Sequence, residues 1–397
     1  MSKTKVLFLG GKSVLDPTHG SSVSILNWLR VLQAHDYECH TLSPMHTGSK
    51  VAHIVRSKLR DFPETSGDFM FFTFAEHEVS HKVFLIPGQS GHSAEITTNT
   101  FLQHVINNIG EIDPDIVIIF NYAGGLANEL WECASQSNAQ RVFYLAIPNL
   151  PAKYRHLIGK ADHLIVPTNA MAELFGNFEG KPYAVIRSAV QQFVEPSRKK
   201  SRENLATRAQ GFVTVINPSP NKGGGISLRI AEAAQQAYPQ LTFLFVESRG
   251  GRSTWEKLGY SLSGLNNVWW LPTQKDMRRV YERSTIVLVP SLWEAAGRVI
   301  AEAQLCGIPV LATRRGGIPE QLNGGGFLFD LPDSLLNNPN TLPERQTVQP
   351  WLEVIDKLVT DDAFYLESSD RATQSAEVFL PKNIEANILD VFADIRK

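Results

Sequence analysis

The chain has 397 residues, 43% of them hydrophobic, and its 38 Lys and Arg against 40 Asp and Glu leave a net charge of -2. That length accommodates two α/β domains with large cores, and the near-neutral balance excludes a general basic field for nucleic acid or for an anionic membrane, so any polyanion site must be local. Cys39, Cys133 and Cys306 are odd in number, widely spaced and fall in expected strand or helix, which points to reduced thiols in a cytoplasmic protein, with peripheral contact at a membrane left open.

The amino terminus passes from MSKTK directly into a short strand, so neither a signal peptide nor a transmembrane segment is expected. Val6–Leu9 reads as that strand, Gly10 and Gly11 begin a turn, and Ser22–Ala34 reads as a helix with Ile25, Trp28, Leu29 and Leu32 inward. Gly11, Lys12 and Ser13 imitate the end of a phosphate-binding P-loop, but Val6 stands where its first glycine is required, and no G-x-G-x-x-G follows the strand. Tyr37–Leu42 is the next strand. Met45–Ser93 is irregular, with basic Arg56, Lys58 and Arg60 and the aromatic patch Phe69, Phe71, Phe72 and Phe74; it reads either as an acceptor-side element or as a core flap. Thr100–Ile109 resumes as helix, and Asp115–Phe120, Arg141–Leu145 and His163–Pro167 are strands alternating with helices.

Glu195–Gln210 is polar, basic and nearly free of large apolar residues, as a connector would be. Beyond it Phe212–Ile216 and Leu241–Val246 are strands around the helix Ile226–Ala237, and Asn267–Leu271 and Thr285–Pro290 continue the alternation. The segment Asn217–Gly225 (NPSPNKGGG) reads as a phosphate cradle: glycines let amides approach an anion, the helix start favours negative charge, and Lys222 adds a cation. A flexible turn with a solvated lysine is the plainer alternative. After Pro290 the chain turns at Gly297 into a helix over Val299–Cys306, which Gly307 and Pro309 stop; Val310–Ala312 is the next strand and Arg314–Gly317 a turn at its carboxyl end. Asp330–Pro350 reads as a Pro- and Asn-rich loop, and two helices, Trp351–Thr360 and about Asn383–Ile395, finish the chain.

Glu294 and Glu302 stand eight residues apart across that turn, over the ligand-binding edge of the sheet. Eight residues of helix span roughly 12 Å, about the separation of hydroxyls on two sugars joined through a diphosphate, and carboxylates accept from such hydroxyls. The segment Pro290, Ser291, Glu294, Gly297, Glu302, Ala303, Gly307, Pro309, Val310, Gly316, Gly317, Pro319 and Glu320 resembles the signature of retaining GT-B glycosyltransferases, especially glycosyltransferase family 4.

The resemblance implies an α/β fold of GT-B type, with two Rossmann-like doubly wound domains facing a cleft. They would be an acceptor-side domain over 1–195 and a nucleotide-sugar domain over 205–380, with a last helix, 381–397, crossing back to the first. It implies catalytic roles for Glu294 on the donor sugar's hydroxyls and Lys222 on the diphosphate. Glu302 would take the ribose, and Gly20, Ser21, Asn217, Gly223, Arg249, Ala295, Ala296, Gly297, Arg298, Gly316 and Gly317 would line the donor. His19 could touch a sugar. Two family features are missing: Ile216 and Asn217 stand where an arginine usually precedes the lysine, for which Arg249 or Arg252 could substitute, and YLAIPNLP lacks the usual histidine, leaving Asn149, Tyr122 or His19 as polar candidates.

The expected activity is retaining transfer from a UDP- or GDP-sugar to a glycan, lipid, protein or small-molecule acceptor. No cofactor, metal or nucleic acid is expected, since no Asp-x-Asp lies at a strand end. The alternative is a catalytically silent GT-B subunit that binds a sugar nucleotide and regulates a partner.

Overall fold

The computed structural model describes residues 2–16, 20–47, 49–58, 69–87, 94–120, 126–148, 150–190, 211–274 and 276–397. The chain divides into two compact units, Met1–Ala189 with Ile384–Lys397, and Val190–Asn383.

The first unit is built on an eight-stranded sheet. Its strands are β1 (Thr4–Leu9), β2 (Tyr37–His46), β3 (Met70–Glu76), β4 (Val79–Ile86), β5 (Ile116–Phe120), β6 (Gln140–Tyr144), β7 (His163–Val166) and β8 (Ala184–Val185), in the order β3-β4-β2-β1-β5-β6-β7-β8. The central strands β1 and β5 are almost wholly apolar and buried because helices cover both faces of a parallel sheet. Helix Gly20–Gln33 turns Ile25, Trp28, Leu29 and Leu32 into this core. The last helix, Pro381–Ile395, adds Ile384, Ile388, Phe392 and Ile395 to the same core, a single face at three- and four-residue spacing. Trp28 lies between Tyr144 (ring centroids 4.5 Å apart) and Phe392 (6.4 Å).

The described part of Met45–Ser93 carries more regular structure than the sequence pattern suggests. It contains the helix Lys50–Lys58 and an antiparallel hairpin of β3 and β4, closed by His77 and Glu78, both at positive φ (51° and 63°). A two-residue turn with positive φ at both positions matches strand twist and is usually made by Asn or Gly; here neither is present, which hid the hairpin. Residues 59–68 and 88–93, including Arg60, lie outside the described set.

Against this hairpin, His104 stacks on Phe71 with ring centroids 3.5 Å apart, and Asn108 contacts its ring nitrogens at 3.0 and 3.1 Å. Burial first, then the Lys82 ammonium, lowers the His104 pKa from 6.5 to about 4. The fold therefore disfavours imidazolium: its contribution to stability is complete above pH 6.5 and is lost as pH falls from there towards 4. Denaturant titrations at both ends of that window should show a smaller acid loss for His104→Phe than for the wild type; equal losses would refute the assignment.

The second unit carries an all-parallel six-stranded sheet of β9 (Phe212–Ile216), β10 (Thr242–Val246), β11 (Val268–Leu271), β12 (Ser284–Val289), β13 (Val310–Thr313) and β14 (Phe327–Phe329), ordered β11-β10-β9-β12-β13-β14. Strand order reverses between β9 and β12, and in such sheets ligands bind outside the carboxyl ends of the strands at that switch point.

Asp330–Pro350 is not a loop throughout: Asp333–Asn337 is helical, and the helix Arg345–Thr360 begins before Pro350 and buries Val348, Trp351, Leu352, Ile355, Leu358 and Val359. Pro350 is exposed inside this helix, at its sixth residue, and forgoes one i→i−4 hydrogen bond there. A further helix, Asp362–Ala376, was not legible because its buried stripe is Tyr365, Ser368, Ser369, Ala372 and Ala376, mostly small or polar. Two of its buried hydroxyls are satisfied by backbone carbonyls: Ser369 donates to that of Gly307 (2.6 Å) and Tyr365 to that of Thr285 (3.2 Å).

Candidate functional site

The turn after β9 is set by three devices. Asn217 takes the left-handed region (φ 57°), and its side-chain carbonyl accepts the Gly250 amide at 3.0 Å, tying this turn to the one after β10. Pro220–Lys222 forms one 3-10 turn, and Gly223, at φ 70°, caps the helix Gly224–Ala237. A Cβ on Gly223 would lie 1.9 Å from the Pro290 carbonyl oxygen, on Gly224 2.3 Å from that of Pro218, and on Gly225 2.4 Å from that of Thr341. The amides of Gly223 and Gly224 already donate to Pro220 and Ser219 (2.9 and 3.0 Å). All three glycines thus serve close packing of protein on protein, and Gly223 and Gly224 spend their amides inside the turn, a correction to the reading of those two as free donors; the anion-attracting groups of this turn are Lys222 and the helix start.

The turns after β9 and β12 are laced together. The Leu292 amide donates to the Asn221 carbonyl (3.1 Å), and the Thr313 hydroxyl holds the Ser291 carbonyl (2.5 Å). Glu294 is the meeting point: its Oε1 accepts from the Ser291 hydroxyl at 2.8 Å and pairs with the Lys222 ammonium, 72 residues away in sequence. The Glu294 backbone is fixed as well, because the Gly317 amide donates to its carbonyl (2.8 Å) and a Cβ on Gly316 would come within 2.4 Å of that oxygen. Gly317 therefore spends its amide on Glu294 rather than offering it to a ligand.

Ala295, Ala296 and Gly297 carry the chain, half-buried, to the helix Arg298–Leu305, which Gly297 caps at φ 63°. Because Glu294 precedes this helix, the rise-per-residue estimate of its distance to Glu302 does not apply. Glu302 lies in the second turn. Tyr281, from the helix Arg278–Arg283, donates to its Oε2 at 2.7 Å, and an Arg298 guanidinium nitrogen lies 3.5 Å from Oε1. The other terminal nitrogen of Arg298, Nη1, is buried without a hydrogen-bond partner among the described residues. Burial, and then the Glu302 carboxylate, raises the Tyr281 pKa well above its ordinary value, so the phenol stays a donor. Sequence reasoning passed over Tyr281; its only signal was a hydroxyl on an otherwise apolar helix face.

Of the other candidates in this unit, Arg249 is exposed in the turn after β10, while Arg252 is engaged by Glu256 on its own helix (2.8 Å).

In the first unit, Gly20 opens the helix Gly20–Gln33 and accepts from the Ser24 hydroxyl (3.0 Å). Ser21 lines a cavity of about 360 Å³ at the carboxyl ends of β1, β2 and β5, together with Lys12, Asp16, His46, Ser49 and Phe120. Lys12, set aside above with the false P-loop, and His46 are the basic groups that line that cavity among the described residues. His19, Tyr122 and Asn149 lie outside the described residues. His156 is exposed, and His163 contacts Gln140 at 3.2 Å. Among the described residues no group of three His, Cys, Asp or Glu is placed to hold a metal ion, no helix is long and apolar enough to cross a membrane, and the three cysteines are buried and unbridged.

Residues 197–338 match the family model described as glycosyl transferases group 1. D-inositol 3-phosphate glycosyltransferase of Corynebacterium jeikeium is 37% identical over 196 residues, 47% of this chain and 43% of that protein. The protein of that name from Saccharomonospora viridis is 30% identical over 256 residues, 60% and 57% of the two chains. The chain thus spans about half the length of these curated relatives. Among solved structures, sucrose-phosphate synthase from Thermosynechococcus elongatus superposes with a TM-score of 0.72 over 99% of both chains at 13% identity. Anabaena HepE in complex with UDP and glucose gives 0.68 over 98% and 99% at 19% identity. The two α/β units therefore have the GT-B fold.

Proposed function

We propose, from the group 1 match over residues 197–338 and the geometry around it, that this chain is a glycosyltransferase that takes a sugar from a nucleoside-diphosphate sugar with retention of configuration. The observation that carries the reading is the pairing, across the switch point of the second sheet, of a lysine at a helix start with Glu294, followed in the next helix by Glu302, a carboxylate held on a separate support by Tyr281. Lys222 holds the diphosphate and stabilises charge on the leaving phosphate. Glu294, fixed by Ser291 and by its own backbone, takes hydroxyls of the donor sugar, and Glu302 takes those of the ribose. Gly20 and Ser21 open a helix in the first unit, where Ser21 lines the cavity at the ends of its strands; in the second unit Arg298 and Arg249 add positive charge. Asn217, Gly223, Ala295, Ala296, Gly297, Gly316 and Gly317 shape the donor site through the backbone.

No protein nucleophile is needed: the leaving phosphate takes the acceptor's proton on the face it leaves, and the protein's work is positioning and charge stabilisation. UDP is the first donor nucleotide to test, given the UDP complex of the HepE neighbour. For the acceptor, the relatives are named for D-inositol 3-phosphate, and the cavity bearing Lys12, His46, Ser21 and Ser49 suits a small phosphorylated polyol.

Purified protein incubated with UDP- and GDP-sugars, with and without D-inositol 3-phosphate, tests this by proton NMR of donor and product. The reading expects donor consumption and a product with the donor's anomeric configuration. An inverted product would refute retention; nucleotide binding without turnover against a broad acceptor pool would instead mark a silent subunit.

A further inference from the structure

We infer that Tyr281 positions the Glu302 carboxylate for the ribose hydroxyls of the donor nucleotide, an inference that rests on the sugar-nucleotide reading of this site. Tyr281 lies in the short helix Arg278–Arg283 that leads into β12, and its side chain is wholly buried in a core cluster with Val287, Val289, Ile300, Ala303 and Cys306. A phenylalanine would fill that apolar pocket equally well, and a hydroxyl taken into it is costly unless it is bonded. Here the hydroxyl reaches the edge of the pocket and donates to Glu302 Oε2 at 2.7 Å, the length of a charge-assisted bond.

Glu302 has three rotatable side-chain bonds, and its other contact, Arg298 at 3.5 Å from Oε1, is long. The phenol is therefore what fixes the plane of the carboxylate. With Oε2 anchored, Oε1 keeps most of its acceptor capacity, and the side chain retains 13% exposure through which a ligand can reach it. Two vicinal hydroxyls are read well only by a carboxylate whose plane is already set, because the cost of ordering it has been met before binding. Tyr281 touches no substrate in this scheme; it acts through Glu302.

The test is calorimetric titration of UDP and GDP, each beside its 2′,3′-dideoxy counterpart, into wild type, Tyr281→Phe, Glu302→Gln and the double variant, with melting curves for each. The better-binding ribose nucleotide should lose about 5- to 10-fold in affinity in Tyr281→Phe, its dideoxy counterpart should be unchanged, and the double variant should be no worse than Glu302→Gln. Should Tyr281→Phe weaken both forms equally, or keep full discrimination while Glu302→Gln loses it, the positioning role is wrong and the ribose role of Glu302 stands. Full discrimination in Glu302→Gln, or no binding of any nucleotide by the wild type, overturns the underlying reading as well.

Discussion

Lys222→Ala is expected to lower turnover of the true donor by about 10²- to 10³-fold, the usual effect of removing one preorganised charge from a site of developing negative charge. Two changes add. The leaving diphosphate loses its cation, and Glu294, only 13% exposed, loses the partner that meets its Oε1. Ser291 alone then orients the carboxylate. Melting should move little, since Lys222 itself is 36% exposed and such pairs contribute about 1 kcal/mol or less to stability. Steady-state kinetics beside a melting curve checks this: a large fall in kcat with an unchanged melting temperature supports the role, and unchanged turnover removes Lys222 from the chemistry.

Gly223→Ala should damage the protein by another route. At φ 70° an alanine is strained, and its Cβ would be placed 1.9 Å from the Pro290 carbonyl oxygen, a backbone atom at the end of a central buried strand. Either the turn carrying Lys222 moves or β12 does. Strain of this kind costs about 3 kcal/mol, which for a unit of this size lowers its melting temperature by roughly 6 to 12 °C. Gly264→Ala, at an exposed position where a Cβ meets nothing within 4 Å, is the control and should leave the melt unchanged. A Gly223→Ala protein with a wild-type melt and wild-type nucleotide affinity would show that the approach to Pro290 is not required.

These two residues also show how the sequence carried the site. The apolar, β-branched run ending at Pro290 and the helix-forming stretch after Gly297 gave strand and helix within a residue or two of β12 and Arg298–Leu305, since both signals are local. The ion pair of Lys222 with Glu294 was not legible: it depends on β9 and β12 lying side by side, which no local pattern encodes. The three glycines were visible but their cause was not, because the atoms that exclude a side chain belong to Pro290, Pro218 and Thr341, two of them far along the chain. Tyr281 was hidden by the same non-locality, being 21 residues before the carboxylate it holds. Elsewhere the misses follow from chemistry that does not look apolar: the hairpin closed by His77 and Glu78, and the helix Asp362–Ala376, whose buried stripe is largely serine and alanine.

The central claim is that Lys222, Glu294 and Glu302 form one nucleotide-sugar site in the second unit. Calorimetric titration of UDP, GDP and ADP into the wild type and into Lys222→Ala and Glu302→Gln tests it most directly. The account predicts that UDP or GDP binds with one site per chain and that each substitution weakens it at least about tenfold, the loss of one charge-assisted contact. Absence of binding by all three nucleotides, or equal affinity in wild type and both variants, would contradict it.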